Sequence, residues 1–116
     1  MSIVASQTVA TIGAPLALTM ISGTVGAGTG TIVPTPDSGA QLVIIDGVFQ
    51  LEAGGDVSMT LNAGTVPFRR YLAGTVGDAL ELATHPGAEY RLGADMPLTL
   101  VASAGTIGYS VRYLTE

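Results

Sequence analysis

Three carboxylates, Asp78, Glu81 and Glu89, stand close together in the stretch "GDALELATHPGAEY". That residue type at that spacing is what paired acid-base catalysis or an oxygen-ligand calcium site requires. In a chain with nine Asp and Glu against four Arg, the same three residues read more simply as solvated charges. His85 is the single histidine, which excludes a site built on two imidazoles, and the surrounding "ATHPG" puts it in a solvent-facing turn ahead of Pro86. "GAGTG" at Gly26 to Gly30 has the glycines of a phosphate loop. It lacks the buried strand before it, the Lys-Ser/Thr ending and the helix whose N-terminus would meet the anion. No serine sits in a nucleophile elbow. The expectation is a protein that is not an enzyme and has no catalytic residue, no metal and no cofactor.

The concentrated positive spot is Arg69-Arg70 in "VPFRRYLAG". Neighbours on a strand point to opposite faces, so one guanidinium faces outward and the other needs a carboxylate or a rim. Either the partner lies inside the fold, or the pair meets an acidic or main-chain surface on a neighbouring protein, which suits a planar multidentate cation. Arg69, Arg70 and the adjoining Tyr71 are therefore interface candidates.

The elements that would position these groups follow from composition and pattern. The 116 residues amount to one domain, with a net charge of -5 and no lysine, so the electrostatic footprint of nucleic-acid binding is missing. Charged residues are 11% of the chain, against about 25% in an ordinary soluble domain. Ser, Thr and Gly take their place. Cysteine is absent, which removes disulfides and thiolate metal sites. No Lys or Arg precedes the first apolar residues, so a secretory signal is not expected. The uncharged stretch ahead of Asp37 is broken by Thr, Ser, Gly and Pro and does not read as a membrane span.

Short β-branched runs separated by Gly, Pro, Asn or Asp predict an all-β protein: an antiparallel β-sandwich, jelly-roll-like, of about eight strands. The runs are Thr8 to Ile12, Leu16 to Ile21, Gln41 to Leu51, Asp56 to Leu61, Val66 to Leu72, Glu89 to Leu92, Pro97 to Ala102 and Ile107 to Leu114. Ala79 to Ala83 reads as either one short helical turn, the only helix expected, or a short strand. In the last run Ile107, Tyr109, Val111 and Tyr113 share a core face, and in the second half of the hairpin "QLVIIDGVFQLEAGGDVSMTLNAG", after the Gly54-Gly55 turn, Val57, Met59 and Leu61 do the same. The first half of that hairpin is apolar on both faces, with Val43, Ile45, Gly47, Phe49 and Leu51 alternating against Leu42, Ile44, Asp46, Val48 and Gln50, and belongs between two layers. Four Ala-Gly-Thr triplets, at Ala27, Ala63, Ala73 and Ala104, have no fixed period and read as turns in which Gly takes a positive φ.

Residues 1–36 are expected to form an extended N-terminal arm with one or two strands, and residues 37–116 the sandwich core. Gly23 to Gly39, rich in Gly, Thr and Pro, reads as a loop, either an arm lying on another surface or a plain linker. Thr31, Ile32 and Val33 within it complete the set of interface candidates. The strands' outward residues are Thr, Ser, Gly and Val, and sheet edges carry little protective charge. Such a surface packs against protein without desolvating ions and suits a lattice or closed oligomer.

From Gln41 onward, "QLVIIDGVFQLEAGGDVSMTLNAGTVPF" followed by "AEYRLGADMPLTLVASAGTIGYSVRYLTE" resembles small tailed-phage virion proteins with a β-sandwich or jelly-roll domain. The matching features are a central strand, a hairpin and a Gly-Thr turn, then Gly93, Pro97 to Leu100, Ala102 and Gly105 to Tyr113. Residues 1 to 40 do not align with that pattern. The resemblance implies a non-enzymatic capsid decoration or cement protein of a bacteriophage virion, often a homotrimer, placed on the capsid surface with the major capsid protein as partner. No nucleic acid and no membrane is implied as a partner. The same architecture serves tail and fibre proteins, which leaves a receptor- or glycan-binding module as the alternative.

Overall fold

The computed structural model describes residues 8–12, 18–83 and 90–116, with residues 8–12 and Ala83 described by backbone alone. Ten strands follow one another: β1 (Thr8–Ile12), β2 (Leu18–Val25), β3 (Gly28–Val33), β4 (Leu42–Ala53), β5 (Val57–Ala63), β6 (Val66–Ala73), β7 (Ala79–Ala83), β8 (Tyr90–Arg91), β9 (Leu98–Ala102) and β10 (Thr106–Thr115). No helix occurs among the described residues. All strand pairings among the described residues are antiparallel. One sheet has the order β1-β2-β10-β4-β7, with β8 also pairing β4; the other has the order β3-β9-β5-β6.

The chain crosses repeatedly between the layers, so strands adjacent in a sheet are mostly distant in sequence. Leaving aside β1 and β8, this is the four-on-four, double Greek-key arrangement of a jelly roll. The sandwich forms because alternate residues of both sheets are apolar and bury each other. From the first sheet Ile21, Phe49, Leu51, Leu80, Leu82, Ile107, Tyr109 and Val111 enter the core; from the second come Ile32, Val57, Met59, Leu61, Leu98, Leu100 and Ala102. Each large apolar side chain sealed in this way contributes about 1.5–3 kcal/mol.

Several local readings are settled or changed in the structure, among them the hairpin expected from Gln41 to Gly64, whose strands β4 and β5 lie in different sheets. Ala79–Ala83 is strand β7 and not a helical turn, because Leu80 and Leu82 alternate inward beside β4. The stretch from Gly23 to Gly39 is not a loop throughout: it contains the end of β2 and all of β3, which pairs with β9 from Gly28 to Val33. In β4 the alternation does not run unbroken. The β10 register steps from Arg112↔Asp46 to Tyr113↔Ile44, so β4 carries one extra residue, Ile45, at that step. A bulge of this kind turns over the side chains beyond it: Leu42 and Ile44 join the core cluster with Phe49 and Leu51, while Val43 is also buried but outside that cluster. The Ala-Gly-Thr turns have positive φ at Gly28, Gly64 and Gly105; the fourth glycine, Gly74, does not, and Gly77 three residues on takes that role. The residues at 36 and 37 lie in the irregular stretch between β3 and β4.

Candidate interaction surfaces

Register places the outward side chains of the first sheet in cross-strand rows. Ser22, Ser110, Val48 and Glu81 form one row. Met20, Arg112 and Asp46 lie beside it on one side, and Thr24, Gly108 and Gln50 on the other. These rows floor two adjoining shallow depressions of about 380 and 330 Å³ that share Val48 and Ser110. Together they make a trough across the face. Glu52 closes one end: its carboxylate lies over Gly108, close enough that a Cβ there would meet it at 2.3 Å. The other end is closed by the Arg112–Asp46 ion pair, in which Nε donates to Oδ1 at 2.8 Å and Nη2 donates to Oδ2. Those hydrogen bonds hold the Asp46 carboxyl below its ordinary range, against the opposing push of burial. Val48, 41% exposed, is the apolar centre of the trough.

The outward face of the second sheet is built from Thr31, Thr99, Asn62 and Pro67 in one row and Thr29, Val101, Thr60 and Arg70 in the next. Ser58 and Leu72 follow. Arg70 is the charged side chain in these rows. Thr99 is held down by donating to the Gly64 carbonyl at 3.1 Å.

The interface candidates are divided by this arrangement. Thr31 is exposed on edge strand β3, while Ile32 and Val33 are buried in the core at 0% and 1%. Arg69, Arg70 and Tyr71 lie on β6, at the opposite edge of the same sheet, so the two groups are not brought together. Arg70 shares the outer face with Leu72, which is 66% exposed. Tyr71 packs against the core. Both arginines are exposed, and among the described residues neither forms an ion pair, unlike Arg112 with Asp46 and Arg91 with Glu116. Pro67 and two charges on one edge strand are a defence against unwanted strand pairing, contrary to the expectation of bare edges. The trough itself was not legible beforehand, since its residues come from β2, β4, β7 and β10.

Of the carboxylates considered for chemistry, Asp78 and Glu81 fall among the described residues. Asp78 accepts hydrogen bonds from the amides of Gly74 and Thr75 at 2.9 and 3.1 Å and so ties the turn before β7. Glu81 points out beside Val48. His85 and Glu89 lie outside the described residues. No group of three His, Cys, Asp or Glu able to hold a metal occurs among the described residues, and no described helix is long and apolar enough to cross a membrane.

The class that these layers define is the jelly roll. No protein-family model matches the chain, and no curated protein matches it. Among solved structures, the chain is similar to one from the virus-like particle of the giant freshwater prawn Macrobrachium rosenbergii extra small virus. The two are 14% identical with a TM-score of 0.47, covering 99% of this chain and 82% of that one. A chain from Bacillus endospore appendages, described as disulfide-linked pili, is 17% identical with a TM-score of 0.39, covering 98% and 96%. A part of dimeric latent PorU from Porphyromonas gingivalis is 14% identical with a TM-score of 0.29, covering 80% of this chain and 10% of that one. Likeness at this level assigns no function.

Proposed function

We propose that the protein is a non-enzymatic structural component of a phage virion, a homotrimer that decorates the capsid surface and bridges major capsid subunits. The observation that carries this reading is the outer face of the second sheet, where Thr29, Thr31, Thr60, Ser58, Val101 and Asn62 lie with Arg70 as the charged member. Covering such a face excludes water from apolar and hydroxyl groups without stripping hydration from ions. The jelly-roll topology, common in viral shell domains, and the resemblance of residues 41–116 to phage virion proteins point the same way. On this reading the half of the face nearest β3 lies on the shell. Ile32 and Val33 hold β3 in place from the core side while Thr29 and Thr31 make the contact. A glycan-binding module would offer aromatic faces to the sugar. Here Phe49 and Tyr109 are buried, and Phe68 packs on Tyr90 with ring centroids 5.6 Å apart.

Co-sedimentation of purified protein with expanded empty shells tests the reading. The wild type is expected to pellet with shells, and Thr29→Glu/Thr31→Glu, two changes on an exposed edge, to remain in the supernatant. Shell binding unaffected by those charges, or glycan-array binding in its place, would overturn it. Deleting residues 1–36 is not a suitable test, because it removes β2 and β3 and with them the buried Ile21, Ile32 and Val33.

A further inference from the structure

The outer trough of the first sheet and the β6 edge of the second sheet are complementary. In the trough, apolar Val48 sits directly across from the Glu81 carboxylate, and both are exposed. On β6, the exposed Leu72 stands two residues from the exposed Arg70, on the same face. A two-residue step along a strand spans roughly 7 Å, and cross-strand partners stand about 5 Å apart; the long arginine stem covers the difference. Among the described residues neither Arg70 nor Glu81 has an ion-pair partner of its own. The two patches lie on different layers of the sandwich.

We propose that the β6 edge of one molecule seats in the trough of a second copy, with Leu72 over Val48 and the Arg70 guanidinium on the Glu81 carboxylate. The contact is heterologous: each molecule offers a donor edge and an acceptor trough. A cyclic trimer requires this kind of interface, since a self-complementary patch closes at two subunits. The neutral floor of Ser22, Ser110 and Thr24 lets the edge approach without like-charge repulsion. Arg69, on the opposite side of the same strand, raises the positive potential of the donor edge. The inference rests on the homo-oligomer part of the function proposed above and not on shell binding, and its test needs the purified chain alone.

Sedimentation equilibrium or native mass spectrometry on Arg70→Glu, Glu81→Arg and the double variant decides it. Each single change places like charges across the contact and is expected to weaken self-association at least about 100-fold, a loss that close like charges can produce. The double variant, with the charges exchanged, is expected to recover to within about tenfold of the wild type. Leu72→Asp, at a side chain that the monomer leaves outside, is expected to dissociate the oligomer with no loss of the folded signal. An oligomer that persists through both single changes, or a folded double variant that stays dissociated, overturns the docking geometry while leaving a homo-oligomer in place. A wild-type chain that is monomeric at all concentrations overturns the docking and the oligomer together.

Discussion

Replacing Gly105 with alanine tests the turn that carries the chain from β9 in the second sheet to β10 at the centre of the first. Gly105 has φ of 74°, where a side chain costs about 1–2 kcal/mol. A Cβ added there would also stand 2.2 Å from the Ala53 carbonyl oxygen, more than 1 Å inside an ordinary carbon–oxygen contact of ~3.3 Å. That oxygen belongs to the backbone at the end of β4, so relief requires the β4–β10 ladder to open near Thr106, where it already shifts register. One lost ladder hydrogen bond adds about 1 kcal/mol, bringing the expected loss to about 2–3 kcal/mol. Gly28 supplies the matched control: its φ is 95° with nothing within 4 Å of the added Cβ. Gly28→Ala should therefore lose only the conformational part, about 1–2 kcal/mol. Urea unfolding of both variants, with slopes compared to verify two-state behaviour, gives the two values. Equal losses at the two positions would refute the steric argument, and an unchanged midpoint for Gly105→Ala would refute the positive-φ argument as well.

Leu100→Ala, at the fully buried centre of β9, is expected to cost about 2–5 kcal/mol in the same assay. The Arg112–Asp46 pair is partly exposed, so Asp46→Asn should cost no more than about 1 kcal/mol at neutral pH. Because the folded Asp46 carboxyl titrates below its unfolded value, that stability is present above the ordinary carboxylate range near 3.9. It is lost as pH falls through the lowered folded value, and the unfolding midpoint of the Asn variant should approach that of the wild type in acid. Burial pushes the Tyr113 phenol up; its contribution is whole below about pH 10 and declines as pH rises toward the folded value, so Tyr113→Phe should blunt the alkaline loss of stability in a pH series of melting curves.

The strands that could be read in advance carry their own apolar period. Ile107, Tyr109 and Val111 alternate inward along β10 as their spacing predicts, and Val57, Met59 and Leu61 do so along β5. Strand β3 had no such mark. Gly28, Thr29, Gly30 and Thr31 offer little bulk, and the strand exists because β9 supplies its hydrogen-bond partners from far along the chain. For β7 a signal was present in "ALELA", where Leu80 and Leu82 bracket a charge at the period of two; five residues are too few to separate that pattern from a helical turn. The bulge at Ile45 could not be foreseen, since both registers of "LVIID" place apolar side chains inward. The trough was hidden for a topological reason: Asp46 and Arg112 stand 66 residues apart, and their meeting depends on strand order, which composition does not encode.

The position of β10 between β2 and β4 bears on how the molecule is made. No early portion of the chain can complete the first sheet, because residues 106–115 fill its middle. Until that stretch has left the ribosome, β2 and β4 have a gap between them, and the apolar sides of Ile21, Phe49 and Leu51 have no neighbour there. Folding must then proceed through long-range closures, which are slow and leave sticky surface open to other nascent chains. A cell making many copies therefore has reason to keep them apart until synthesis passes Thr115, and a ribosome stalled just short of β10 should yield a protease-sensitive chain rather than a smaller stable sandwich.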